Sequence, residues 1–235
     1  MTSASGNIIS ICKNGFHAAD SWGTMGSKAH SEEVKTGLDR ACAQITWIRE
    51  NLVGIELKGD HRHRIPAQLF DLAIEHGSGI NNLIAANICS SAFALVRSEF
   101  ECFVRGAWLH HCASDAEIET FIAKDRIDPP FGALIDAIEQ KPAFDSKFLS
   151  TVKDNAMKAM HGYTHGGIHQ VSRRLDGDYI EPCFEDGALL EVIQFSATMA
   201  LIAFGQIAAL ADREDLIVAA DGLMTGAPSP DAPAA

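Results

Sequence analysis

Three groups of side chains have types and spacings that could do chemistry. Arg97, Glu101 and Arg105 follow one another at i, i+4 and i+8, so on a helix they project as one strip. Desolvating an ion costs several kcal/mol unless a partner and hydrogen bonds replace its water, on the order of 3–5 kcal/mol when one partner of a buried pair is lost. Arg97 and Glu101 can satisfy each other across a turn, which leaves Arg105 wanting an acceptor. The strip reads either as a structural ion pair that fixes register or as a functional polar pocket. The second group is His161-Gly-Tyr163-Thr-His165-Gly-Gly-Ile-His169. On a helix His161 and His165 share a face, the spacing at which two imidazoles meet a metal if a third ligand such as Glu101 joins them. The other reading is that these histidines hydrogen-bond at a helix C-terminus and close the bundle. The third group is Arg105 and His110, separated by four residues.

The element carrying the first and third groups is Ser90 to His111, SSAFALVRSEFECFVRGAWLHH. On a 3.6-residue period its apolar residues run round almost the whole circumference, which marks a central helix. Upstream, Val34, Leu38, Ala41, Ile45, Ile48 and Leu52 form one amphipathic stripe from Glu32 to Val53, stopped by Gly54. Pro66 falls where the first turn of the next helix accepts it. The stretch onward to His111 reads either as one long helix through Gly77 and Gly79, placing His76, Asn87, Ser90 and Ala94 on the face of Arg97, or as two helices broken at those glycines.

Downstream, Ser114 and Glu117 have the spacing of a capping box for a helix to about Lys124. Asp128 before Pro129 and Pro130 reads as the cap of a helix through Gln140, and Asp145 as the cap of one ending against Gly166 and Gly167. Asp176-Gly177 is a turn signal for a small β-hairpin near 168–182. Asp186 is expected to cap a long apolar helix from Ala188 to Ala211, and a last helix covers Glu214 to Ala220. The expected fold is all-α: one bundle of six to seven helices over 31–222, a flexible arm over 1–30 and a disordered Pro/Ala-rich tail over 223–235.

A net charge of −12, from 31 acidic and 19 basic residues, offers no general field for a phosphate backbone, so extensive DNA coating is not expected. A local basic patch is compatible with it. Six scattered cysteines without a C-x-x-C pair read as reduced core thiols. The N-terminus lacks the basic and apolar regions of a secretory signal. The run Phe195 to Ala211 is shorter than a usual membrane span and interrupted by Ser196, Thr198, Gly205 and Gln206, so it reads as a buried helix. The expectation is a cytoplasmic protein with no membrane partner.

The Arg105-Gly-Ala-Trp-Leu-His110 segment resembles the Arg, four residues, His motif of HEPN-type ribonucleases. That resemblance implies that Arg105 holds the phosphate and His110 does general acid–base work on the 2′-hydroxyl of RNA, without metal or cofactor, across a two-fold axis. Gly106 stands where that family usually has a polar residue. Arg-x-x-x-Glu-x-x-x-Arg-Gly-x-Trp at Arg97 to Trp108, followed by His-Gly-x-x-His-Gly-Gly at His161 to Gly167, resembles an uncharacterised bacterial helical family over roughly Ile65 to Ala211. It implies that Arg97, Glu101, Arg105, Trp108, His161 and His165 belong to one design, with the histidine segment against the charged strip and Tyr163 beside it. Three functions follow: a metal-independent ribonuclease using Arg105, His110 and Glu101; a non-catalytic homodimeric module; and a metal-binding bundle using His161, His165 and Glu101. Common to them is the expectation that an imidazole of His161 or His165 lies within hydrogen-bond or one-water reach of Arg97 or Glu101.

Overall fold

A computed structural model describes residues 29–225 of the chain. They form nine α-helices and one 3₁₀ turn: α1 (Glu32–Leu52), α2 (His61–Ala85), α3 (Cys89–His111), α4 (Asp115–Lys124), α5 (Phe131–Ile138), the 3₁₀ turn Pro142–Phe144, α6 (Phe148–Thr164), α7 (Ile168–Val171), α8 (Asp186–Leu210) and α9 (Glu214–Thr225). The all-α expectation holds, with more and shorter helices than six or seven.

Helix α1 begins at Ser31, whose Oγ accepts from the Val34 amide at 3.3 Å as N-cap, and its Val34, Leu38, Ala41, Ile45 and Ile48 stripe is buried. Helix α2 starts five residues before Pro66, because Asp60 accepts the His63 amide at 3.0 Å as N-cap. The polar HRHR stretch is therefore its first turn rather than a loop. Neither expectation for Gly77 and Gly79 holds. The helix runs through both and breaks at Ala86 to Ile88, where Asn87 takes φ +59°, a conformation asparagine tolerates better than most residues. Helices α2 and α3 thus form an antiparallel hairpin. Its close packing needs Gly106, since a Cβ there would stand 2.9 Å from Phe70 Cε1.

Helix α8 packs against α2, α1, α9 and α3, and α6 lies along α3. Phe70, Phe100, Phe103 and Phe204 are among the largest fully buried side chains of the resulting core. By length and composition α8 could cross a membrane, yet Leu189, Ile193, Met199, Phe204 and Ile207 are buried against the other helices. No disulfide joins Cys89, Cys102, Cys112 or Cys183.

Several caps differ from expectation. Pro130 precedes α5 while Asp128 pairs with Arg126 at 2.8 Å. Lys147, in the left-handed region, precedes α6, whose first turn is satisfied by Glu139 accepting the Ser150 amide at 2.9 Å, not by Asp145. Asp186 is the first residue of α8 rather than its cap. Residues 168–182 form no hairpin: they hold the short α7 and one isolated bridge, Asp176 with Tyr179, around Gly177 at φ +59°. There are no strands among the described residues. Helix α9 continues through Gly222 to Thr225, so the expected tail loses its first residues to that helix. Residues 1–28 and 226–235, and with them most of the expected arm and tail, lie outside the described residues.

Candidate functional site

Helix α3 presents Arg97, Glu101 and Arg105 along its edge toward α6. Arg97 Nε donates to Glu101 Oε1 at 2.6 Å, and Arg97 Nη1 donates to His161 Nδ1 at 2.6 Å. A guanidinium only donates, so that Nδ1 accepts and the imidazole hydrogen sits on Nε2. His165 follows one turn later, its ring centroid 4.5 Å from that of His161. Arg105 reaches the other oxygen of Glu101 only at 3.5 Å, which leaves most of its donors unused. The expected meeting of strip and imidazoles is present. Its burial is not: the side chains of Arg97, Glu101 and Arg105 are 27%, 22% and 45% exposed, and both histidines are exposed. The cluster is a solvated face rather than a buried pocket.

The glycines of the histidine motif explain how the face is built. The Gly167 amide donates to the Gly162 carbonyl at 2.6 Å, and a Cβ on Gly167 would meet Gly162 Cα at 2.9 Å. The chain can fold back onto the end of α6 only there. Thr164 Oγ1 then donates to the Ala94 carbonyl at 3.3 Å and Gln170 Nε2 to the Ser90 carbonyl at 3.0 Å, pinning the turn to α3. Tyr163 packs edge-on against Phe93 at 4.9 Å. With Phe93 and Phe184 it surrounds the Arg173 guanidinium at 5.4 to 5.9 Å from the ring centroids, a cation–π arrangement. Arg173 is thereby held beside Tyr163 of the histidine motif.

Arg105 and His110 do not converge. Five residues apart on one helix, they point about 140° apart. The His110 ring stacks on His111 at 4.1 Å, its Nδ1 is buried without a hydrogen-bond partner, and burial, helped by the charges of His111, His63 and Arg62, pushes its pKa down to about 4. It is neutral at neutral pH and cannot serve as a general acid there. The arginine in its surroundings is Arg62, held by Asp115 at 2.6 Å and by the Ala113 carbonyl at 3.0 Å. Trp108, expected in the site, is 5% exposed and belongs to the core. Glu101, His161 and His165 do not form a metal-ligand set, and there is none among the described residues. Arg97 lies between the carboxylate and the imidazole, so a cation already occupies the place where the metal would have to neutralise them.

The buried ionisable group anticipated for the strip sits two residues away. Glu99 is fully buried and accepts from Ser196 Oγ on α8 at 2.9 Å, while its Oε2 has no partner. Gly77 of α2 makes room, since a Cβ there would be 2.7 Å from Glu99 Oε1 and 2.9 Å from Ser196 Oγ. One turn on, Asn81 is buried with both amide atoms unpartnered. Burial holds the Glu99 carboxyl well above its ordinary value, against the opposing pull of the Ser196 hydrogen bond. The sequence carried a signal for it, because Glu99 stands three residues after Val96 and four before Phe103, on the apolar face.

An all-helical protein with a half-exposed Arg/Glu/His face on a buried α2–α3–α8 core is what fold and site define together. The chain belongs to a family of unknown function, DUF6988, which it matches over residues 70–222. No curated protein and no solved structure matches it.

Proposed function

We propose that the protein acts on RNA at the α3–α6 face, as a metal-independent ribonuclease in which Arg97 and Arg105 hold phosphate and His165 and His161 supply the imidazoles. The single observation behind this reading is the chain Glu101–Arg97–His161, with hydrogen bonds of 2.6 Å on either side of the guanidinium. Glu101 orients Arg97, Arg97 fixes the tautomer of His161, and the Nε2–H of His161 is left to donate to a phosphate oxygen. His165 beside it, exposed, can take the proton of a 2′-hydroxyl. The 2′-oxygen then attacks phosphorus, the bond to the 5′-oxygen breaks, and the leaving oxygen collects a proton from solvent. The HEPN resemblance supplies the reaction class; the burial of His110 Nδ1 and the exposure of His161 and His165 support giving the imidazole role to the latter pair.

A single-stranded RNA oligonucleotide incubated with the pure protein and excess chelator tests the reading. Cleavage that survives chelation, is lost in His161→Ala and His165→Ala and persists in His110→Ala is the expected result. Absence of cleavage by the wild-type protein, or loss in His110→Ala alone, would refute it.

A second reading, the non-catalytic homodimer, is favoured by one observation. Ile168, Val171, Leu175, Tyr179 and Ile180 are all half or more exposed, and Val171 shares a cleft with Ile88 at the start of α3. An apolar run of that kind fits burial against a second copy. Sedimentation of the wild type beside Ile180→Asp decides it: a dimer converted to a monomer supports the module, and a monomeric wild type removes it.

A further inference from the structure

At its far end the charged strip opens into a cleft of about 370 Å³ lined by Arg105, Phe121, Asp125, Arg126, Phe131 and Leu134, with Ile127 and Pro129 behind them. We infer that this cleft is a nucleobase subsite, with guanine the base it fits best, placed next to the phosphate held by Arg105. This deepens the RNA reading and rests on it.

The volume falls within the usual range for small-ligand sites, about 300–1,000 Å³. Arg105 is shared: it belongs to the strip through Glu101 and to the cleft wall, and its one contact to a carboxylate is a long 3.5 Å. A phosphate gripped there would leave its own base within the cleft. Phe121 and Phe131 are half-buried and offer ring faces or edges, and Phe131 is braced by an edge contact to Phe100 at 5.9 Å. Stacking on aromatic side chains is how single-stranded nucleotides are usually held.

Asp125 gives the base identity. It ends α4 in the left-handed region, at φ +48°, where a non-glycine residue is uncommon. Its carboxylate makes no hydrogen bond or ion pair to any described side chain. Arg126 uses Nε and Nη2 on Asp128, at 2.8 and 3.3 Å, and keeps Nη1 unengaged. The cleft therefore offers a free carboxylate as acceptor and a free guanidinium nitrogen as donor. Guanine matches both, with N1–H and N2–H₂ for the carboxylate and O6 and N7 for the guanidinium. Cytosine and uracil have less ring to stack, and they and adenine each offer the carboxylate a single donor group instead of guanine's adjacent N1–H and N2–H pair.

Calorimetric titration with guanosine 5′-monophosphate, cytidine 5′-monophosphate and ribose 5-phosphate tests the inference, beside the RNA oligonucleotide on the same preparation. Guanosine monophosphate is expected to bind at least about tenfold tighter than ribose 5-phosphate, the effect of one stacked base. Asp125→Asn, which keeps a residue tolerant of the left-handed backbone, should reduce the preference over cytidine monophosphate to the part that stacking supplies. Equal binding of guanosine monophosphate and ribose 5-phosphate overturns the inference, as does an unchanged preference in Asp125→Asn. If RNA still binds in a manner sensitive to His161→Ala, that failure leaves the RNA reading standing. Guanine-dependent, Asp125-dependent binding with no affinity for RNA would uphold the subsite for a free mononucleotide and refute the RNA reading.

Discussion

Replacing Glu99 by Gln should stabilise the protein increasingly as pH rises. The carboxyl is fully buried, with one oxygen on Ser196 and the other unpartnered, and burial holds its pKa well above the ordinary 4.5. In the folded chain it keeps its proton; in the unfolded chain it releases it above about pH 4.5. Through that window the unfolded state binds one proton fewer, so stability falls by about 1.4 kcal/mol per pH unit. The contribution is fully present below the unfolded pKa and is lost as pH climbs toward the folded one. From pH 4.5 to 7 the loss reaches up to about 3 kcal/mol. Glutamine keeps the acceptor for Ser196 Oγ and carries no such proton. The gap between Glu99→Gln and wild type should therefore open from near zero at pH 4.5 to a shift in urea midpoint on the order of 1 M at neutral pH. Urea titrations followed by circular dichroism at unit pH steps read it directly. Parallel curves for the two proteins across pH 5 to 8 would refute the claim that Glu99 is protonated in the fold.

Four further outcomes follow from the geometry. Gly77→Ala, which places a Cβ 2.7 Å from Glu99 Oε1, should lower stability by about 1–3 kcal/mol in thermal or urea melts. Ser114→Ala removes one half of the capping box on α4, where Ser114 Oγ accepts the Glu117 amide at 3.4 Å, and should cost about 1 kcal/mol in the same melts. Gly167→Ala, which drives a Cβ to 2.9 Å from Gly162 Cα, should both destabilise the turn and weaken RNA binding by displacing His165, as a filter-binding assay would show. Arg105→Gln should weaken RNA binding uniformly across sequences and flatten the dependence of log K on log salt by about 0.7, the share of one phosphate contact to a single strand.

The sequence was most informative where periodicity is strong. The stripe of α1 and the all-round hydrophobicity of α3 are set by 3.6-residue spacing, and both helices fall within a residue or two of where that spacing puts them. The pairing of Arg97 with Glu101 was likewise readable from their spacing, whereas the encounter of the strip with His161 was an implication of the family resemblance. The depth of these side chains was not readable, because burial depends on which face meets a neighbour, and the edge toward α6 is only half covered. The same uncertainty hid Glu99, whose partner Ser196 lies 97 positions away and whose space is provided by a glycine on a third helix. The cap at Asp145 was misread because Glu139, from the preceding helix, satisfies α6 in its place. A local capping rule cannot see an acceptor supplied through tertiary packing. A break into two helices at Gly77 and Gly79 was one alternative, and the break lies at Asn87 for a related reason: in α2 Gly77 sits beside Glu99 of α3 and Ser196 of α8 and serves close approach rather than chain reversal, while Gly79 only touches Leu95 of α3.

The most direct test of the proposed RNA-binding role of the α3–α6 face is a ¹⁵N-histidine spectrum of the protein titrated with a short single-stranded RNA in the presence of chelator. The account predicts that the Nε2 signals of His161 and His165 move on addition of RNA while those of His110 and His111 stay in place. Unmoved His161 and His165 signals at saturating RNA, or shifts confined to His110, would contradict it.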